Sequence, residues 1–385
     1  MNAAAKHSPS LGDDILLLLT LEWLDAKDLV AFDTANQSNR YIRSIWLRVL
    51  RSLPDIRCMT GLSYNHYSIR WLIMRRIKTS SMRVVRVSTD NTIDDTFEGI
   101  YLPGLDSMIV DCGRKMTDRS VQLIAAGCVN LRVIVMPGCS QLKCSLTAVG
   151  QHCRGLTSLD FYECAGIVDE DWNMLAKGCI HLQTIIIGMC PLLTNAALEA
   201  IGNSCQRLTN IDMSYNDNII DGGIAYLTLR CFQLQTVKFA GCSKLAVGAL
   251  DAIAKSCQGL IYVGMSVNKI TDRGITCLTK GCIDLQTIDT AECDQLTDRA
   301  LEAIGQSCKG LTCINMSYNR NMTDHGILCL TQGCIHLQSI TIDDCSELTA
   351  AEVEAIEQSC QRLRSIHVHF LSFPGFLTDL MSRTG

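Results

Sequence analysis

Residues 282–308, CIDLQTIDTAECDQLTDRALEAIGQSC, change hydrophobic period halfway along. Leu285, Ile288 and Thr290 alternate with polar residues and lead to Cys293, which is the period of two that a strand needs. After the turn Gln295-Leu296-Thr297-Asp298, the apolar residues Ala300, Leu301, Ala303 and Ile304 recur at three-to-four spacing up to Cys308. This predicts a strand, a turn and a helix. A single such unit cannot bury both of its apolar faces, so it needs copies on either side.

The chain supplies those copies. Units aligned on their first apolar residue begin at Met82, Leu105, Leu131, Leu156, Leu182, Leu208, Leu234, Leu260, Leu285, Leu311, Leu337 and Leu363. The first step is 23 residues and every later one is 25 or 26. The first unit is thus too short for a full helix. The shared template is C-x-x-L-x-x-(L/I/V)-x-(apolar)-x-x-(C/N)-x-x-(L/I)-T-D-x-x-(L/I)-x-x-(I/L)-x-x-x-C. It resembles the leucine-rich repeat in its cysteine-containing form. The fold class this implies is an α/β leucine-rich-repeat solenoid, a horseshoe of about twelve strand–helix repeats over residues 82–370.

Within each repeat, the residue just after the strand sits where backbone groups lose their ladder partners. A buried orphan group costs ~1–3 kcal/mol, so a short side chain able to hydrogen-bond belongs there. The chain alternates Cys190, Asn216, Cys242, Asn268, Cys293, Asn319 and Cys345 at that position. The text MSYN also recurs at 213–216 and 316–319, so the copying unit is a pair of repeats. The second cysteine of the template, as in Cys179, Cys205 and Cys308, closes the helix; its small side chain lets the helix end approach the next strand.

Ahead of the repeats, residues 1–10 read as a flexible tail. Residues 11–53 then hold three short amphipathic patterns: Ile15 to Leu19, Leu29 to Phe32, and Tyr41 to Leu50. Three helices in so few residues make a poor core alone. Leu11, Asp14-Ile15-Leu16, Trp23-Leu24-Asp25, Asp28-Leu29 and Trp46 resemble the F-box. In that family the usual Leu-Pro start stands where this chain has Leu11-Gly12. The resemblance implies that Leu11, Ile15, Leu16, Leu24 and Leu29 bind a Skp-type adaptor, and through it a cullin ubiquitin ligase. The alternative is a helical cap on the open end of the array, leaving a scaffold with no ubiquitin role. Residues 54–81 read as a basic helical linker, and residues 371–385, with Phe373, Phe376, Leu377, Leu380 and Met381, as a C-terminal cap.

Composition narrows the function further. No stretch reaches the ~20 apolar residues a membrane helix needs, and the first residues lack the apolar core of a signal peptide. A cytoplasmic or nuclear protein is expected. The 22 cysteines form no zinc-type C-x-x-C pair; at the repeat positions they read as small buried hydrophobes. Net charge is −5, split as +5 over residues 1–90 and −10 over the rest, which gives the repeats no nucleic-acid footprint.

No Gly-rich phosphate loop, HExxH pair or nucleophile elbow occurs, so neither catalytic residue, metal site nor cofactor is expected. What remains is the concave strand face. Its alternate positions carry Asp160, Tyr162, Asp212, Lys238, Tyr262, Asp289, Asn315, Asp343 and His367. This small, polar, mildly acidic surface with tyrosine anchors suits a target protein rather than nucleic acid or membrane.

Overall fold

The computed structural model describes residues 63–64, 81–84, 94–110, 115–144, 146–345, 347–348 and 363–367. The tail, the F-box-like segment with Leu11, Ile15, Leu16, Leu24 and Leu29, and the C-terminal cap therefore lie outside the described residues. The chain divides into two compact units. One is Met1–Ile167 with Met174–Leu182, the other Val168–Asn173 with Gln183–Gly385.

In the first unit, β1 (Ser63–Tyr64), β2 (Ser81–Val84), β3 (Ser107–Val110), β4 (Val133–Val135) and β5 (Ser158–Asp160) follow in sequence order. Each is parallel to the next. In the second, β6 (Thr184–Ile186), β7 (Asn210–Asp212), β8 (Thr236–Lys238) and β9 (Tyr262–Gly264) are continued by β10 (Thr287–Asp289), β11 (Cys313–Asn315), β12 (Ser339–Thr341) and β13 (Ser365–His367). These too are parallel, residue for residue, with no slip in register. A parallel pair needs a crossover, and here the crossover is one turn plus one helix, repeated.

Thirteen strands stand among the described residues, where about twelve were expected. The difference is β1, which pairs Ser63 with Arg83 and Tyr64 with Val84 inside the stretch read as a helical linker. Its two residues are too few for a period of two to show. Among its described residues the short first repeat carries just the four-residue helix Asp94–Phe97, in keeping with its 23-residue step.

The core is a stack of like residues. The middle strand positions Ile211, Val237, Val263, Ile288, Ile314 and Ile340 are all buried, as are the leading Leu208, Leu234, Leu260, Leu285, Leu311 and Leu337. The helices Asn195–Ser204, Asp221–Arg230, Val247–Ser256, Asp272–Gly281, Asp298–Ser307 and Asp324–Gly333 pack side by side behind them. Their closest approach runs along small residues near the helix ends. A side chain added at Gly333 would lie 2.0 Å from the carbonyl oxygen of Gly305, so only glycine fits.

Polar ladders tie neighbouring repeats together. Asp298, first residue of its helix, accepts from the backbone N–H of Thr323 at 2.7 Å and from its hydroxyl at 2.6 Å. Asp272 holds Thr297 in the same way, and Asp169 holds Thr194. Each of these threonines caps its own helix while its hydroxyl donates back to the previous repeat. The thiol of each helix-closing cysteine points the same way. Cys231 donates to the carbonyl of Cys205, Cys257 to Cys231, Cys282 to Cys257, Cys308 to Cys282 and Cys334 to Cys308, at 3.3–3.9 Å.

Candidate interaction surface

Every described strand of the second unit from β6 to β12 except β9 shows the burial pattern half-exposed, buried, half-exposed. Because the register is fixed, the outward residues line up in rows across the sheet. The last outward row runs Asp212, Lys238, Gly264, Asp289, Asn315, Thr341 and His367. The row before it contains Tyr262, between Thr236 and Thr287. Asp343 follows β12 and is half-exposed. In the first unit, Asp160 and Tyr162 hold the same positions and are also half-exposed. For His367 only the backbone is described.

The centre of this surface is built around a missing side chain. Gly264 is buried, and a side chain there would meet the ring of Tyr262 at 3.2 Å and Lys238 at 3.4 Å. The Tyr262 ring lies over the gap, with the Lys238 ammonium 5.1 Å from the ring centre, close enough for a cation–π contact. Burial pushes the Tyr262 phenol up, and the carboxylates of Asp289 and Asp212 push it further. At neutral pH it is a hydrogen-bond donor. A cation and a phenol are thus held between two carboxylates on four neighbouring strands.

Part of this polarity serves the fold itself. Asp212 accepts from the backbone N–H and hydroxyl of Ser214 at 3.0 and 2.7 Å, and Asn315 does the same for Ser317 at 3.2 and 2.9 Å. Asp289 accepts from the N–H of Ala291, and Asp160 from that of Tyr162. Each acidic or amide side chain in this row folds over the turn behind it. Carboxylates so tethered present the same face in every copy, which suits recognition by a rigid surface.

Two rim residues escaped the sequence reading. Tyr215 and Tyr318 stand one position past the strand face at φ of +59° and +62° and remain 45% and 41% exposed. The left-handed backbone swings each ring outward, and the Tyr215 ring covers Gly241, where a side chain would collide at 2.4 Å. The repeated MSYN text marked both, but nothing in it shows a positive φ.

Among the described residues no helix is long and apolar enough to cross a membrane.

No protein-family model matches the chain. F-box/LRR-repeat protein 4 of Bos taurus is 23% identical over 182 residues, 46% of this chain and 29% of its own length. F-box protein MAX2 of Arabidopsis thaliana is 27% identical over 215 residues, 54% of this chain and 26% of its own. The chain thus matches little more than a quarter of the length of these relatives. Only 81 residues precede Met82, so the matched 46% of this chain lies more than half within the repeat region. Among solved structures, a chain of the yeast Rad7 and Elc1 complex has a TM-score of 0.56 at 14% identity, covering 88% of this chain and 90% of that one. The mouse RP105/MD-1 complex gives a TM-score of 0.51 at 15% identity, over 80% and 52%. These structures share the fold. The chain is a leucine-rich-repeat solenoid, and the F-box/leucine-rich-repeat resemblance read from its residues is the one its curated relatives show.

Proposed function

We propose that this protein is the substrate-recognition subunit of an SCF-type cullin ubiquitin ligase. Residues 11–53 hold a Skp-type adaptor, and the strand face holds the protein to be ubiquitylated. The observation that carries this reading is that both curated relatives are F-box proteins. The residues that resemble the F-box precede the repeats in the sequence, as a segment separate from the strand face. That face suits a target with exposed lysine or arginine near an aromatic or polar patch: Asp212 and Asp289 would pair with the cation, and Tyr262 would stack or donate. The subunit itself does no chemistry; the ligase it joins acts in the cytoplasm or nucleus.

A second reading, a binding scaffold with no ubiquitin role, is favoured by one fact. The alignments to the F-box relatives draw largely on the repeats. Affinity purification from native cells separates the two. Recovery of a Skp-type adaptor and a cullin in stoichiometric amounts supports the ligase reading, whereas recovery of target proteins alone overturns it in favour of the scaffold.

A further inference from the structure

One cluster of metal-ligating side chains lies away from the strand face. Glu302 on the helix Asp298–Ser307 meets His325 and Cys329 on the next helix, Asp324–Gly333. His325 and Cys329 are four residues apart and so share a helix face. The His325 Nε2 lies 3.4 Å from the Glu302 carboxylate and 3.8 Å from the Cys329 sulfur, and all three ligand atoms fall within 4.8 Å of one another. Zinc bonds of ~2.3 Å to sulfur and ~2.0–2.2 Å to nitrogen or oxygen make tetrahedral edges of about 3.4–3.6 Å. Two edges of this cluster are already within a few tenths of an ångström of that figure.

Repeat copying does not account for the cluster. One repeat pair earlier the equivalent residues are Asp251, Arg273 and Cys277, and there the carboxylate of Asp251 is taken by Lys255 at 2.5 Å. A guanidinium beside that thiol repels a cation. Two pairs earlier the residues are Glu199, Gly222 and Tyr226. The ligand set is complete at a single place among the described residues. His325 and Glu302 are about 66% and 39% exposed and Cys329 is half-buried, so an ion has open access.

The geometry points to a zinc-class divalent-cation site formed by Glu302, His325 and Cys329, with a solvent molecule as fourth ligand. Its ligands come from two neighbouring helices, so the ion clamps one repeat to the next. It reads the array near its C-terminal end and takes no part in the strand face.

Cobalt(II) is the probe, added to the full chain under reducing conditions. One equivalent is expected to give a thiolate-to-cobalt charge-transfer band with the visible bands of a tetrahedral ion, and zinc should displace it. Cys329→Ser and His325→Ala should each abolish the thiolate band, Glu302→Gln should weaken cobalt binding roughly tenfold, and Cys277→Ser should leave the spectrum unchanged. Without any variant, zinc should also slow alkylation of Cys329 while sparing the rate at Cys277. Absence of the charge-transfer band at ten equivalents overturns the proposal, as does a band that survives Cys329→Ser or unchanged alkylation of Cys329.

Discussion

Asn216 makes three hydrogen bonds from a buried site: its Oδ1 accepts from the N–H of Cys190 at 2.8 Å, and its Nδ2 donates to the carbonyls of Ile187 and Met213 at 2.8 and 3.0 Å. The cysteines at the same position reach the same carbonyl layer with a thiol: Cys242 donates to Met213, Cys293 to Met265 and Cys345 to Met316, at 3.2–3.3 Å. The alternation read from the sequence is therefore a trade of a two-handed amide for a one-handed thiol. Asn268 differs from Asn216, since the N–H of Cys242 bonds to Phe239 and leaves the buried Asn268 Oδ1 without a partner. Asn216→Ala should destabilise the array by ~1–3 kcal/mol, Asn216→Cys by less, and Asn268→Ala by less than Asn216→Ala. Urea unfolding of the three variants checks the order; equal losses at 216 and 268 would show that the accepted bond contributes nothing. The residue just before this position was not legible at all. Glu163, Met189, Tyr215, Val267, Glu292, Tyr318 and Asp344 all adopt positive φ there, yet only Gly138 and Gly241 announce it. The backbone tolerates the strain because the residue's N–H bonds to the following repeat, as Val267 does to Ala291 at 2.8 Å.

At the scale of the element, the helix was legible from Ala300, Leu301 and Ile304, and its start from the Thr-Asp pair. What the pair does was not. The threonine was read only as part of the turn, whereas it caps its own helix and also donates its hydroxyl to the aspartate one repeat back, 25 residues away. A contact between copies leaves no local trace, because every copy carries the same two letters. Room for the carboxylate comes from Gly326, where a side chain would lie 2.4 Å from Asp298. Removing a charged acceptor that serves two donors costs more than a neutral hydrogen bond, and partial exposure reduces it, so Asp298→Ala should cost about 1–2 kcal/mol. A double-mutant cycle with Thr323→Val should return a coupling of ~0.5–2 kcal/mol. Strict additivity would mean that the pair does not hold the two repeats together.

At the scale of the whole molecule, a column of buried thiols makes the core's stability sensitive to pH. Fifteen of the nineteen described cysteines are buried, and none of the nineteen is in a disulfide. Burial pushes the thiols of Cys153, Cys231 and Cys282 from 9.0 up to about 12, and those of Cys179, Cys257 and Cys308 as far, with neighbouring cysteines adding to the rise in these three. A proton held in the folded state and released by the unfolded chain stabilises fully below the unfolded pKa near 9, and that stability is lost as pH rises towards 12. The melting temperature should therefore be flat up to about pH 8 and fall steeply above pH 9, as the unfolded chain releases the protons that the folded thiols keep. Under native conditions at neutral pH, an alkylating reagent should mark Cys144, Cys277, Cys313 and Cys329 well before Cys179, Cys205 or Cys308, as peptide mapping would show. Fast labelling of the buried set, or a melting curve indifferent to pH 10, would refute this account of the core.

The array's coupling also decides how the N-terminal segment is to be tested. Nearest-neighbour stacking means that damage at one end lowers the stability of the end repeats first and leaves distant ones intact. If Leu16 and Leu29 cover the first strands as a cap, Leu16→Asp with Leu29→Asp puts two charges into a buried joint. The melting transition should then drop and broaden, with aggregation through the uncovered edge. If the same leucines face a Skp-type adaptor, the repeats keep their melting temperature while adaptor capture falls by a hundredfold or more, since a few apolar anchors carry most of such an interface. The second outcome is the one expected. The strand-face change Tyr262→Ala completes the comparison: it should leave adaptor capture intact and weaken only the recovery of target proteins. A double mutant that melts early, beside a wild type that captures no adaptor, would transfer the protein to the scaffold reading.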